Sequence, residues 1–170
     1  MRFVSLEVTW FQGIKSAHVD FEPGLNVLYG PNDLGKSTLV TALRAALLLP
    51  VTATEAEKYH PWHADENASV TLVFCDGTGK YWRVEKTFGG HAGAKLLFSK
   101  DGLSWVSEAK GRDVEGKLRT LLPWGVALPG GAGAGKGLPK TFLTNALLGP
   151  QDEVASILEG GLGKDGADSG

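Results

Sequence analysis

Between Gly30 and Thr38 the chain reads GPNDLGKST, placing two glycines, a lysine and two hydroxyl residues at the spacing G-x-x-x-x-G-K-[ST]. That spacing suits the capture of phosphate. Gly30 and Gly35 admit backbone conformations closed to other residues, so successive N–H groups along Asn32, Asp33 and Leu34 are able to turn inward toward phosphate oxygens. Lys36 offers a flexible ammonium to β- and γ-phosphates, Ser37 a hydroxyl suited to Mg²⁺, and Thr38 a second hydroxyl for an α-phosphate oxygen. The positive end of a helix beginning at Lys36 adds an attractive field for anions. The chemistry implied is the binding of a nucleoside triphosphate with Mg²⁺, ATP first. A tight strand-to-helix turn without a ligand would also use glycines, but it has no need of the lysine and hydroxyls that follow.

The surrounding elements support that placement. Leu25–Tyr29 (LNVLY) is a compact apolar run, as expected of a strand buried on both faces. Lys36–Leu48 is rich in helix formers and carries an apolar stripe of Leu39, Ala42, Leu43 and Leu47, with Pro50 as the stop. Upstream, Phe3–Trp10 alternates as a strand with one apolar face, and Ser16–Phe21 follows the Gly13 turn as a second strand. Downstream, residues 52–67 form a polar connection with an aromatic knot, Tyr59–His63. Ser69–Cys75, Tyr81–Lys86 and Ala94–Phe98 then read as an antiparallel meander, because Asp76-Gly77, Gly89-Gly90 and Asp101-Gly102 are turn signals. Val114–Leu122 predicts a short helix and Gly125–Leu138 a flexible loop. Lys140–Leu148 and Gln151–Leu158 predict two short helices, and EGGLGKDGADSG a disordered tail over residues 159–170.

Other constellations are weaker. Gly130–Gly137 (GGAGAGKG) repeats part of the phosphate-loop spelling, but Gly137 stands where the hydroxyl should be and no strand precedes it. Leu72–Asp76 (LVFCD) resembles an apolar strand ending in a Mg²⁺-holding acid, yet the Asp-Gly hairpin preference accounts for Asp76 more simply. His60, His63 and Cys75 are irregularly spaced and lack a fourth ligand, so aromatic packing is preferred to zinc. Between Gly77 and Arg119 nine Lys/Arg face five Asp/Glu, a local excess of four positive charges in a chain of net charge -2. Lys80, Arg83 and Lys86 on that meander are candidates for contact with a phosphate backbone, weighed against an ordinary solvated sheet face.

The 170 residues suffice for one domain with a real core. A single cysteine, Cys75, excludes an internal disulfide and fits a reducing compartment. Glu7 within MRFVSLEVTWF and the shortness of the apolar run Ala45–Val51 speak against a leader peptide or a membrane span, so a cytoplasmic protein without a membrane partner is expected.

With these residues in place, the stretch WFQGIKSAHVDFEPGLNVLYGPNDLGKSTLVTAL resembles the N-terminal layout of the SMC/RecF/SbcC-type branch of the ABC ATPases. FLTNALLGPQDEVASIL is similar to the segment that carries that family's Q-loop glutamine. The resemblance covers about residues 1–158 and is strongest at 24–43. It implies an α/β P-loop NTPase fold, the N-terminal lobe of an ATPase head, carrying an antiparallel β meander. Asn32 would face the γ-phosphate, and Gly35, Lys36, Ser37 and Thr38 would hold the phosphates and Mg²⁺. Gln151 would reach Mg²⁺ or the attacking water. Gln12 stands where many members carry an arginine, so that arginine's role is not carried over.

The family's signature element and its Asp-Glu strand are not found in the sequence. The resemblance therefore implies a C-terminal half as partner, head-to-head dimerisation, DNA, and a partner nuclease. Hydrolysis would need the completed head. A nucleotide-binding module without turnover and a small-molecule kinase are the alternatives. The absence of an N-K-x-D motif argues against GTP.

Overall fold

The computed structural model describes residues 1–61 and 65–122. Its frame is a six-stranded sheet built from β1 (Arg2–Phe11), β2 (Ile14–Asp20), β3 (Ala68–Cys75), β4 (Tyr81–Phe88), β5 (Gly93–Ser99) and β6 (Val106–Lys110). The spatial order is β2-β1-β3-β4-β5-β6 and each neighbouring pair is antiparallel. Helices α1 (Lys36–Leu48) and α2 (Asp113–Leu121) pack on the sheet, α1 mainly over β1, β3 and β4, and α2 over β5 and β6. A short 3-10 turn, Thr54–Tyr59, lies between α1 and β3.

The expected meander is present, and its strands obey the period of two. β3 and β4 alternate buried and half-buried positions along their whole length, with Val70, Leu72, Phe74, Val84 and Phe88 inward. Small residues Ala42, Ala45 and Ala46 let α1 lie close to that apolar layer. The aromatic residues of the first turn and of the 3-10 turn meet here, Phe11 stacking on Tyr59 at 4.7 Å between centroids with Phe88 edge-on.

The turns at Asp76 and Asp101 form where expected, but it is their carboxylates that close them, and at the first it is Gly79 (φ 84°), not Gly77, that takes the left-handed conformation. Asp76 Oδ1 accepts hydrogen bonds from the Thr78 N–H (2.8 Å), the Thr78 hydroxyl (2.7 Å) and the Lys80 N–H (3.1 Å). Its Oδ2 accepts from the Trp82 indole at 2.9 Å. Asp101 does the same between β5 and β6, accepting from the Leu103 and Ser104 N–H groups and from Ser99 Oγ.

Three expectations are corrected. Leu25–Tyr29 is not a buried strand: Leu25 is 90%, Val27 68% and Tyr29 89% exposed. Among the described residues no strand lies beside it, so its backbone has no ladder to join. Asn26 instead ties the preceding loop together, its amide bonding Glu22 through both N–H and C=O and also the Gly24 carbonyl. In consequence the described sheet has no parallel pair: in place of the expected α/β arrangement with an added meander, the described residues form two helices on a wholly antiparallel sheet. Second, Lys86 does not belong to a basic outer face, because it points into the core at 1% exposure, on the opposite side of β4 from Arg83. Third, β6 was not expected; VSEAK has little apolar alternation, and it is held as an edge by pairing with β5. The expectations for Gly125–Leu138, Lys140–Leu148, Gln151–Leu158 and the tail fall outside the described residues, as do Trp62 and His63.

Candidate nucleotide site

The turn that leads into α1 is shaped by left-handed backbone. Gly30 has φ 151°, Asp33 φ 64° and Gly35 φ 84°. Gly35 is the N-cap of α1 and no side chain caps the helix there. Acidic residues are absent from the first turn of α1, so nothing on the helix offsets its positive end. A side chain at Gly35 would meet Ile14 Cγ1 at 3.0 Å and Cδ1 at 3.2 Å, and one at Gly30 would meet Leu34 Cδ2 at 2.9 Å. Torsion favours glycine at both positions; packing against Ile14 adds to it at Gly35, whereas at Gly30 the near atom is the tip of exposed Leu34, which can move aside.

Lys36 folds back over the loop. Its Nζ donates to the carbonyl of Gly30 at 2.9 Å and to that of Pro31. The ammonium thus hangs over the same turn whose N–H groups open the helix. Ser37 is exposed and Thr38 half-buried one position on, while Asn32, Asp33 and Leu34 form the exposed rim. A phosphate chain and a divalent cation fit this donor set: a cationic head, an uncapped helix end free of acid, and a hydroxyl open to solvent. The structure brings together Gly30, Asn32, Asp33, Leu34, Gly35, Lys36, Ser37 and Thr38. Gln151 lies outside the described residues.

The β1–β2 hairpin tip forms a wall of this site that the sequence motif alone does not announce. Trp10 (φ 51°) and Gln12 (φ 53°) adopt left-handed conformations at non-glycine positions. The torsion at Trp10 breaks the strand's alternation, so Val8 and Phe11, three apart, are both fully buried. That twist delivers Ile14 to the backbone of Gly35. Gln12 fixes the tip from below, through its N–H to the Tyr59 carbonyl (3.1 Å) and its Nε2 to the Lys58 carbonyl (3.3 Å). The Trp10-Phe11-Gln12-Gly13 run was the available signal, since a bulky residue followed by a Gly turn marks an irregular strand end.

Elsewhere, Asp76 is engaged as a turn residue by its four donors. Desolvation acts to raise its pKa, but hydrogen bonds from Trp82, Thr78 and Lys80 outweigh it and hold the carboxyl at about 2. His60 packs its ring against the backbone of Gly89. Among the described residues no group of three His, Cys, Asp or Glu side chains is arranged to hold a metal. Buried Lys86 is anchored on three oxygens: Leu49 O at 2.7 Å, Ala45 O at 3.3 Å and Glu115 Oε1 at 2.8 Å. Burial pushes its pKa down and the Glu115 carboxylate opposes that shift.

Residues 5–112 match the model of the AAA_23 family, described as an AAA domain. The chain belongs to this family. As a member it is similar to the DNA double-strand break repair Rad50 ATPase of Methanopyrus kandleri, with 28% identity over 148 residues, covering 85% of this chain and 15% of that protein. It is also similar to the Rad50 ATPase of Thermococcus kodakarensis, 26% identical over 161 residues, covering 94% of this chain and 16% of the relative. The chain thus spans about one sixth of the length of these relatives. A solved structure from work on ATP-driven dimerization and DNA-stimulated activation of SMC ATPases superposes with a TM-score of 0.51. That superposition has 15% identity and covers 72% of this chain and 78% of the other. The match supports a P-loop NTPase fold, and together the comparisons support an SMC/Rad50-type ABC ATPase head domain. Among the described residues no helix is long and apolar enough to cross a membrane.

Proposed function

We propose that this AAA_23 domain is the ATP- and Mg²⁺-binding N-terminal lobe, about residues 1–158, of a cytoplasmic ATPase head that acts on DNA in repair or chromosome maintenance. The observation that carries the proposal is Lys36, whose ammonium reaches across the loop to the Gly30 carbonyl at 2.9 Å, above an uncapped helix end without acid. Phosphate oxygens at that position would exchange the carbonyl partners of Lys36 for stronger, charge-assisted ones. The N–H groups of Asn32–Thr38 would surround the phosphates. Ser37 would hold Mg²⁺, which supplies charge neutralisation between the β- and γ-phosphates. Gln151 is proposed to reach the same cation or the attacking water.

The lobe by itself is proposed to bind without turnover. Phosphate contacts alone neither position an attacking water nor stabilise charge on the transferring group. The exposed apolar run Leu25–Tyr29, with no described strand beside it, supports a C-terminal half that supplies the missing strands, the signature element and the acidic strand. Two completed heads would meet face to face, each γ-phosphate joining one loop to the opposite signature element. A partner nuclease and DNA complete the proposed assembly. For DNA the support is the sheet face away from the helices, where Lys95 and Lys110 stand directly opposite one another and Arg83 stacks over Trp105 at 4.8 Å. Lys80, just before β4, is not part of that face: its ammonium lies over the ring of Phe98, which packs on inward-facing Trp82.

Calorimetric titration of the chain with ATP·Mg²⁺, paired with a turnover measurement, tests this. Binding that disappears in Lys36→Ala, no turnover alone, and turnover on adding the C-terminal half are expected. Unchanged affinity in Lys36→Ala would remove the site.

A further inference from the structure

All the fully buried side chains of α1 lie in its second half: Ala42, Leu43, Ala45, Ala46 and Leu47. The first turn, which carries Lys36, Ser37 and Thr38, has no fully buried side chain; it meets the core only through half-buried Leu39 and at Gly35, against Ile14. The helix is therefore held most firmly through its C-terminal half and more lightly at its N-terminal end, where Ser37 lies roughly 15 Å from Leu47 at the helical rise. What fixes the C-terminal half fixes where the N-terminal end points.

The clamp on that half contains a buried charge. Lys86, from β4, places its ammonium under the last turn of α1 and donates to the carbonyls of Ala45 and Leu49, where a cation is favoured by the helix dipole. The same ammonium is paired with Glu115 Oε1 at 2.8 Å, a residue of α2's first turn. One side chain thus joins the phosphate-loop helix, the central strand and the second helix. A hydrophobic residue at position 86 would fill the volume without directional bonds, so a buried ion pair is a poor choice for stability alone. A pocket of about 250 Å³ lined by Pro50, Val51, Gly93, Arg112 and Glu115 opens beside the Glu115 end of the pair.

We propose that Lys86 is a positioning residue for the nucleotide site, and that Glu115 makes the aim of α1 depend on the position of α2. Any partner segment that displaces α2 is then felt at Lys36–Thr38 through one ammonium. The proposal rests on Gly30–Thr38 being a nucleotide site, and the experiment separates the two.

The chain is prepared as Glu115→Gln and as the double variant Lys86→Met/Glu115→Met, whose apolar pair remains able to fold. ATP·Mg²⁺ affinity is measured with amide hydrogen exchange at Leu39–Thr41, the first hydrogen-bonded amides of the N-terminal end. The expected result is affinity weaker by roughly two- to thirtyfold, the range for couplings carried through packed networks, with faster exchange at Leu39–Thr41. Leu96→Val, a core change remote from α1, should lower stability and leave both readings alone. Unchanged affinity and unchanged Leu39–Thr41 exchange in both variants would overturn the proposal, as would equal effects from Leu96→Val. Should the unaltered chain take up no ATP·Mg²⁺, the nucleotide reading falls. The exchange at Leu39–Thr41 still decides whether Lys86 positions the helix.

Discussion

Gly35→Ala tests the site at its most constrained point. Two separate penalties meet there. The torsion, φ 84°, places an alanine in the left-handed region, costing about 1–2 kcal/mol. The added Cβ would also sit 3.0 and 3.2 Å from two carbons of Ile14, tighter than ordinary contact, and relieving such overpacking costs about 1–3 kcal/mol. Gly24 separates the two effects, because its φ of 96° imposes the torsional strain while nothing lies within 4 Å of its Cβ position.

Gly24→Ala should therefore destabilise by about 1–2 kcal/mol and leave ATP·Mg²⁺ affinity near that of the unaltered chain. Gly35→Ala should destabilise by about 2–5 kcal/mol and lose nucleotide binding, since the loop's N–H groups are re-aimed. Combining Gly35→Ala with Ile14→Ala should make the pair non-additive, returning part of the second penalty and none of the first. Denaturant unfolding of the four variants with calorimetry supplies the numbers. Equal destabilisation by Gly24→Ala and Gly35→Ala, or additivity with Ile14→Ala, would refute the view that the hairpin tip braces the phosphate loop.

Two further outcomes follow from the geometry. Asp76 has a folded-state pKa of about 2 against an ordinary 3.8, so its stabilising effect is complete above the ordinary value and is lost as pH falls through about 2. Asp76→Asn should thus be less stable at neutral pH, by about 1–3 kcal/mol for lost charged hydrogen bonds, and show a flatter decline between pH 4 and 2; a parallel decline would show that the acid limb arises elsewhere, with Asp101 the next turn to test. Reversing charge at Arg83 and Lys95 should weaken DNA binding and reduce its salt dependence, while affinity unchanged across salt would return that face to ordinary solvation.

Much of this fold follows from local sequence. Alternation at Ala68–Cys75 and Tyr81–Phe88 dictates which residues face the helices, and Asp76 and Asp101 supply hydrogen-bond acceptors that close their turns without help from afar. The helix from Lys36 is equally local, being opened by Gly35 and ended before Pro50. Lys86 shows the limit of charge counting. Its neighbours on the sequence mark it as one of nine basic residues in a positive segment, whereas the pleat of β4 assigns it to the inner face, where Glu115 and two helix carbonyls receive it. Ile14 shows another limit, because its contact with Gly35 depends on the reversal at Trp10, a torsion that no periodicity expresses.

Leu25–Tyr29 departs from the expected buried strand for a different physical reason. An apolar run records how much surface a segment is selected to bury, but not which atoms bury it. Burial on both faces requires neighbours on two sides and paired backbone along both edges. Here the described residues provide none of these, and Leu25, Val27 and Tyr29 face solvent immediately before the phosphate loop. The exposed run and the loop are continuous in chain, so whatever covers the first also fixes the entry to the second. The apolar strand character read from the sequence and the exposed segment seen in the structure then agree, provided the covering surface is supplied from beyond the described residues. On that view the loop at Gly30 is anchored from three directions: Ile14 beneath Gly35, the Lys86 clamp at the far end of α1, and the partner of Leu25–Tyr29. Of these the first two are present in the described structure, which is why nucleotide binding is proposed for the lobe and hydrolysis only for the completed head.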